Sequence, residues 1–363
     1  GVDGQPLPKF EQTAILENKS EMSSCLLFHP LEPALVVTDE KNGVSVWQYE
    51  KGEKTNHFQN PGSARITSLD WLNPSGASIL ATGSDDGIVR FWKGVVDNTT
   101  ISTSDDETPT PELASALHAV PDLGRGEKGG SESSPGLIMV CSHTGGSLYT
   151  AAGHGEKNTI RIWDLQAEHV VTRIDTESQS SVTAMVASDS LAPSTVMDDA
   201  NAYAQADAPP PGIILTGFGD GYLRYYDVRQ GVKPCMAVNE HCAWVVNVHL
   251  KNMREAISGS ASGDVRFFDL RMNSSFRSLD MHAGTMMTSF VSHPRTNILA
   301  TGSDAQFIKI LTHEGQVLSW IRFHDGFLGQ RIGPVSCLAF HPNRRALAAG
   351  ATDSIVSIYN SPD

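Results

Sequence analysis

The chain lacks long apolar runs: no stretch approaches the roughly 18 consecutive apolar residues of a membrane-crossing helix. It also lacks paired cysteines. Cys25, Cys141, Cys235, Cys242 and Cys337 are scattered and odd in number, and none forms a Cys-x-x-Cys pair. Neither a disulfide framework nor a zinc site is implied, which fits a reducing compartment. Positive charge is scarce: 27 Lys and Arg stand against 41 Asp and Glu, a net charge of −14. No Lys/Arg run gathers those cations into a patch, so nucleic acid and anionic lipid are disfavoured as partners. The start, Gly1-Val2-Asp3, has no initiator Met, basic n-region or signal-like stretch, and reads as part of a longer protein. Catalytic signatures are missing too: there is no Gly-x-Ser-x-Gly elbow, no His-Glu-x-x-His and no phosphate-binding Gly-x-x-x-x-Gly-Lys-Ser/Thr.

What is present is a repeat. Seven segments share a small-residue strand, a tight turn and a β-rich strand ending in a large residue, as in Thr82-Gly83-Ser84-Asp85-Asp86-Gly87-Ile88-Val89-Arg90-Phe91-Trp92. The large residues are Trp47, Trp92, Trp163, Tyr226, Phe268, Leu311 and Tyr359, spaced by 45, 71, 63, 42, 43 and 48 residues. Most spacings sit near the roughly 40–45 residue period of a four-stranded WD blade. The two long ones hold inserts rich in Ser, Gly, Pro and acid. The expected architecture is all-β: a single seven-bladed WD-repeat β-propeller over residues 1–363, with a tail at 1–10 and flexible inserts at 94–111, 121–135 and 189–211.

The repeat chemistry is consistent with that fold. Small residues on the second strand let blades approach, Asp-Gly supplies the positive φ of a tight hairpin, and the terminal large residue fills the space between blades. The seventh repeat stops after its third strand, while Gln12-Thr13-Ala14-Ile15-Leu16 is a spare strand before the first repeat. This N-terminal strand is expected to complete the last blade and so close the ring.

Thirteen histidines invite a search for ligands. His29-Pro30, His293-Pro294 and His341-Pro342 each follow an apolar strand at one blade position, and read as strand-to-turn elements. In WD repeats a His before the first strand, a turn Asp and the terminal Trp often form a buried network. Asp86, Asp220 and Asp353 occupy the turn position; Lys157, Ser262 and Ala305 replace it elsewhere, so most blades should lack the network. No catalytic residue, cofactor site or metal site is expected. The Ser/Thr-bearing acidic stretch 102–107 reads first as a solvated insert. The protein-binding candidates lie in two segments. One is His324-Asp325-Gly326-Phe327-Leu328-Gly329-Gln330-Arg331, longer than a hairpin link needs and carrying an aromatic and an Arg between glycines. There Phe327 is either an interface anchor or a plug at the blade junction. The other contains His241 and Trp244, with Trp244 more in keeping with packing and His241-Cys242 pointing to opposite faces of a strand.

These residues carry a family resemblance. Asp325–Arg331 followed by Val335-Ser336-Cys337-Leu338-Ala339-Phe340-His341-Pro342 resembles the C-terminal propeller of the Raptor family, the regulatory-associated proteins of the TOR kinase. So do Glu240-His241 with Ala243-Trp244-Val245-Val246, Gly263-Asp264-Val265-Arg266 with Phe268-Asp269, and Phe28-His29-Pro30 with Glu50-Lys51-Gly52-Glu53-Lys54. The resemblance spans all seven repeats; the inserts depart from it. It implies a non-enzymatic scaffold module of TOR complex 1, supporting substrate recruitment and nutrient-dependent growth signalling. Implied partners are the TOR kinase and other subunits of that complex, with small GTPases reached through the parent protein, and neither nucleic acid nor membrane insertion. The implied location is the cytoplasm, with recruitment to the lysosome or vacuole surface through partners. The alternative is a WD-repeat adaptor of another assembly, a ubiquitin ligase or a trafficking coat.

Overall fold

The computed structural model describes residues 9–96, 110–121, 136–142, 146–152, 158–190, 212–252, 254–326 and 328–361. They form 28 strands and one short 3-10 turn, Ser188–Ser190, with no α-helix among the described residues. The strands make seven four-stranded antiparallel sheets, the blades of a β-propeller. In chain order, blades 1 to 6 cover residues 23–59, 66–118, 137–175, 182–239, 245–280 and 287–321. Blade 7 is built from residues 335–360 plus Glu11–Glu17. The N-terminal strand pairs with Ile355–Asn360 from Glu11↔Asn360 to Glu17↔Ile355, as the spare strand predicted.

Two compact units divide the blades. Residues 60–280 hold blades 2 to 5; residues 1–59 and 281–363 hold blades 6, 7 and 1. Within each, the small second-strand residues have the predicted role. A Cβ on Gly83 would collide with Leu137, and one on Gly217 with Val245 of the following blade. In the other unit, Gly302 stands against Val335 and Gly350 against Cys337 and Ser23. Threonines at the start of the first strand reinforce the same approaches. Thr67 Oγ1 donates to the Leu137 carbonyl (2.7 Å), Thr183 to Val245 (2.6 Å) and Thr288 to Val335 (2.6 Å). Six of the seven terminal large residues are buried, with Tyr226, Phe268 and Leu311 at 1% exposure or less, and Trp163 is half-buried. Each such side chain contributes roughly 1.5–3 kcal/mol.

The boundaries of the tail and inserts move inward. Phe10, placed in the tail, is buried with Ile332 and Val335; Val95 and Val96, placed in the first insert, are also buried. Asp189, placed in the third, accepts a 2.6 Å hydrogen bond from the Tyr149 hydroxyl. Most of 1–10, 94–111, 121–135 and 189–211 lies outside the described residues, as does the turn at 153–157.

Candidate protein-binding surface

His29, His293 and His341 are turn elements. Each is buried, and each Nδ1 accepts backbone N–H groups just beyond it: Leu31 and Glu32 for His29, Arg295 and Thr296 for His293, Asn343 for His341. The N–H proton therefore sits on Nε2, and His293 Nε2 donates to the Arg344 carbonyl at 3.0 Å. Burial pushes His29 and His341 down to about 4 and lowers His293 as well.

A second set, His241, His282 and His324, occupies the position before the first strand of blades 5, 6 and 7. His241, a binding candidate from sequence, is only 4% exposed and committed to the fold. Its Nδ1 lies 2.8 Å from Asp264 and its Nε2 2.6 Å from Ser258 Oγ. The sequence reading denied blade 5 this network because Ser262 holds the turn position. The structure corrects it: Asp264, the first residue of the strand that follows the turn, supplies the carboxylate. Burial raises the Asp264 pKa, but hydrogen bonds from His241, Ser260 and Arg266 and the charge of His241 outweigh it and hold the carboxyl far below the usual range. In blade 6 the corresponding residue is Phe307, and the His282 ring stacks on it at 4.9 Å. Neither His282 nitrogen nor Thr301 Oγ1 has a hydrogen-bond partner. Burial, and then the charge of Lys309, hold His282 at about 4.

His324 leads into the candidate loop. Its backbone N–H donates to the Gln330 carbonyl (2.9 Å), Ile332 donates to Arg322 (3.0 Å), and Phe323 and Arg331 form an antiparallel bridge. The loop is therefore a small hairpin. Gly329 is required in it, because a Cβ there would strike the His324 carbonyl. Gln12 of the N-terminal strand binds it three ways: its side-chain N–H to His324 Nδ1 (3.1 Å), its side-chain carbonyl to the Asp325 N–H (2.6 Å), and its backbone N–H to the Asp325 carboxylate (3.2 Å). His324 and Asp325 thus anchor the hairpin to the strand that completes blade 7. Arg331 Nη2 donates to the Ala305 carbonyl at 3.1 Å. Leu328, at the tip, is 85% exposed, and Gln330 is exposed as well. Phe327 lies outside the described residues. Trp244, read as packing, has 46% of its surface in solvent.

The sequence reading overlooked a further strip. The fourth strand of blade 6, Val317–Ile321, exposes Val317 and Trp320, and Phe323 follows, each at least half exposed. The Arg322 guanidinium lies 3.9 Å from the Trp320 ring centroid and the Lys309 ammonium 5.0 Å from it. Lys309 belongs to a recurring position, two residues before each large terminal residue. That position holds Arg90, Arg161, Arg224, Arg266 and Lys309 in blades 2 to 6, but Ser45 and Ser357 in blades 1 and 7. Each serine neighbours an imidazole: Ser45 Oγ lies 3.1 Å from His57 Nδ1 and Ser357 Oγ 3.5 Å from His324 Nδ1.

Concave sites offer little chemistry. The cavity beside His324, lined by Ile308, Ile332, Ser357 and Tyr359, is about 10 Å³, too small for a ligand. An open depression of about 630 Å³ runs along residues 61–64, Asp85, Asp86 and Arg90. Among the described residues no group of three or more His, Cys, Asp or Glu could hold a metal ion. Burial pushes the Asp70 carboxyl up to about 6, yet both its oxygens accept backbone N–H groups, from Trp71 and Cys141 at 2.8 Å. No helix among the described residues is long and apolar enough to cross a membrane.

The WD domain, G-beta repeat family matches residues 52–93 and 327–360. The "Protein raptor homolog" of Dictyostelium discoideum is 35% identical over 364 aligned residues, 98% of this chain. "Regulatory-associated protein of TOR 1" of Arabidopsis thaliana is 33% identical over 92% of the chain. The chain is a Raptor-family WD-repeat propeller. Schizosaccharomyces pombe "Target of rapamycin complex 1 subunit mip1" is 29% identical over 97% of the chain. A solved Chaetomium thermophilum Raptor shares the fold, with a TM-score of 0.77 and 23% identity over 98% of the chain, and the chain covers 30% of it. The chain spans only 22–24% of the Raptor relatives just named, so it corresponds to one part of a Raptor-family protein.

Proposed function

We propose that the chain is a non-catalytic protein-interaction module within a scaffold subunit of TOR complex 1. The reading rests on one observation: similarity to Raptor-family relatives runs across 92–98% of the chain, and one of them, mip1, is named as a subunit of target of rapamycin complex 1. A propeller suits the role because side chains held on a rigid framework lose little freedom when a partner binds. The seven blades act as one domain in this reading. Trp244, Leu328, Gln330 and Arg331 are its exposed contact candidates, while His324 and Asp325 hold the hairpin in place. Partners are the TOR kinase and its companion subunits, with small GTPases engaged by other parts of the parent. The location is the cytoplasm, with partner-dependent recruitment to the lysosome or vacuole.

Affinity purification of the intact parent under gentle lysis, followed by mass spectrometry, tests the proposal. Recovery of a TOR-family kinase is the expected result, and its consistent absence overturns the reading. Leu328→Glu together with Trp244→Glu should reduce recovery without changing the melting temperature.

A further inference from the structure

We infer that the fourth strand of blade 6, Val317–Ile321, is a docking edge for an extended peptide in which acidic and aliphatic residues alternate. The inference rests on the interaction role proposed above and names one surface and one kind of partner for it.

The strand ends its sheet, so one of its edges has no strand partner among the described residues. Such edges invite pairing with another chain, and natural sheets guard them with charge. The other fourth strands are guarded in this way. Glu53–Gln59 carries Glu53 and Lys54; Glu112–His118 carries Glu112; His169–Asp175 carries Arg173 and Asp175. Ser275–Asp280 carries Arg277 and Asp280, and Glu11–Glu17 has an acid at each end. Met236–Asn239 is uncharged but short, and its exposed residues are only Ala237 and Asn239. Val317–Ile321 alone combines an uncharged edge with large exposed apolar side chains: Val317 at 50% and Trp320 at 52%, followed by Phe323 at 58%.

Charge selects the occupant. In a chain of net charge −14, Trp320 is flanked by two cations, Lys309 and Arg322. Lys309 is held there by a 2.6 Å bond to the Met281 carbonyl, which leaves ammonium protons free to donate elsewhere. Three carboxylates lie nearby in sequence: Asp304, within electrostatic reach of His282, Glu314, three residues before Val317, and Asp325, engaged by Gln12. A strand added to this edge would take main-chain hydrogen bonds from it and send alternate side chains to opposite faces. Those on the Trp320 side meet the cations, which favours Glu or Asp. Those on the other side meet Phe323, three residues on, which favours Val or Leu.

The test is fluorescence anisotropy on the full chain with labelled synthetic peptides: alternating Glu and Val, alternating Lys and Val, and a block peptide of Glu then Val. The Glu-Val peptide should bind about tenfold more tightly than either control. Arg322→Glu should weaken it about tenfold and favour the Lys-Val peptide, and Trp320→Ser should weaken it similarly. Both side chains are exposed, so circular dichroism and melting temperature should not change. Equal binding of all three peptides overturns the inference, as does undiminished binding by both variants. A wild-type dimer that dissolves in the variants also overturns it, because a second copy would then occupy the edge. Recovery of TOR kinase by the Arg322→Glu parent, with peptide binding lost, leaves both readings standing. Peptide binding as expected with no kinase recovered supports the edge and overturns the complex assignment.

Discussion

Blades 5 and 6 place a buried histidine at the same point, 41 residues apart, and use it in opposite ways. His241 is satisfied at both nitrogens, by Asp264 and Ser258. His282 is satisfied at neither and lies flat on Phe307. In blade 7 the third member, His324, is bound to Gln12, a residue of the strand that completes its sheet. One sequence position thus serves as a hydrogen-bonded strut, a stacking ring and a clasp. The difference follows from one neighbour: an Asp, a Phe or a distant Gln.

The largest effect should come from the clasp. Deleting residues 10–17 removes the fourth strand of blade 7, all three Gln12 contacts, and the burial of Phe10 and Leu16, each worth roughly 1.5–3 kcal/mol. Thermal denaturation should show a fall of many degrees; an unchanged melting temperature would mean that His324 needs no clasp.

Next comes the strut. Asp264→Ala strips His241 of its carboxylate and leaves Arg266 only Glu240, and should cost roughly 3 kcal/mol in urea denaturation. A loss below about 1 kcal/mol would erase the distinction between the two blades.

Acid should separate them as well. In the folded chain His29, His282 and His341 titrate near 4, below their ordinary 6.5, so the unfolded state takes up protons first as pH falls. Their stabilisation is complete above 6.5 and is lost as pH drops through 4. All three lie in the unit holding blades 6, 7 and 1. Asp264 behaves differently: its contribution is complete above the ordinary 3.8 and erodes only below it. Hydrogen exchange at about pH 5 should therefore show lost protection in blades 6, 7 and 1 before blade 5. Uniform loss would break the comparison.

The smallest effect belongs to the stacking ring. His282→Leu removes two unsatisfied polar atoms and should change stability by no more than about 1 kcal/mol, toward greater stability. The same change at His241 should cost about 2 kcal/mol, because Asp264 and Ser258 lose their partner.

The blades were legible in the sequence because their signals are local. A glycine that admits the next blade and a large residue at the end of the third strand recur within a few positions of each other. The joining of Glu11–Glu17 to blade 7 was legible by elimination, since one strand was missing and one was spare. The binding surface was less accessible. Asp264 was passed over because a fixed turn position was sought, whereas the carboxylate stands on the first residue of the following strand. His324 and Asp325 looked like protein-binding residues because the partner they anchor the loop to, Gln12, lies more than 300 positions away. Trp320 was missed because its meaning lies in what its strand lacks relative to six others, which no single motif records.

The pairing of Glu11 with Asn360 has a mechanical consequence. The strand that begins the fold and the strand that ends it lie side by side and antiparallel, with their outermost residues facing one another. Tension applied through both flanking segments would load that seam one hydrogen-bonded pair at a time, as a zipper is loaded, rather than shearing all the pairs together. Blade 7 would then be the first to open under force, peeling from Glu11 towards Glu17 and releasing Gln12 from the hairpin almost at once.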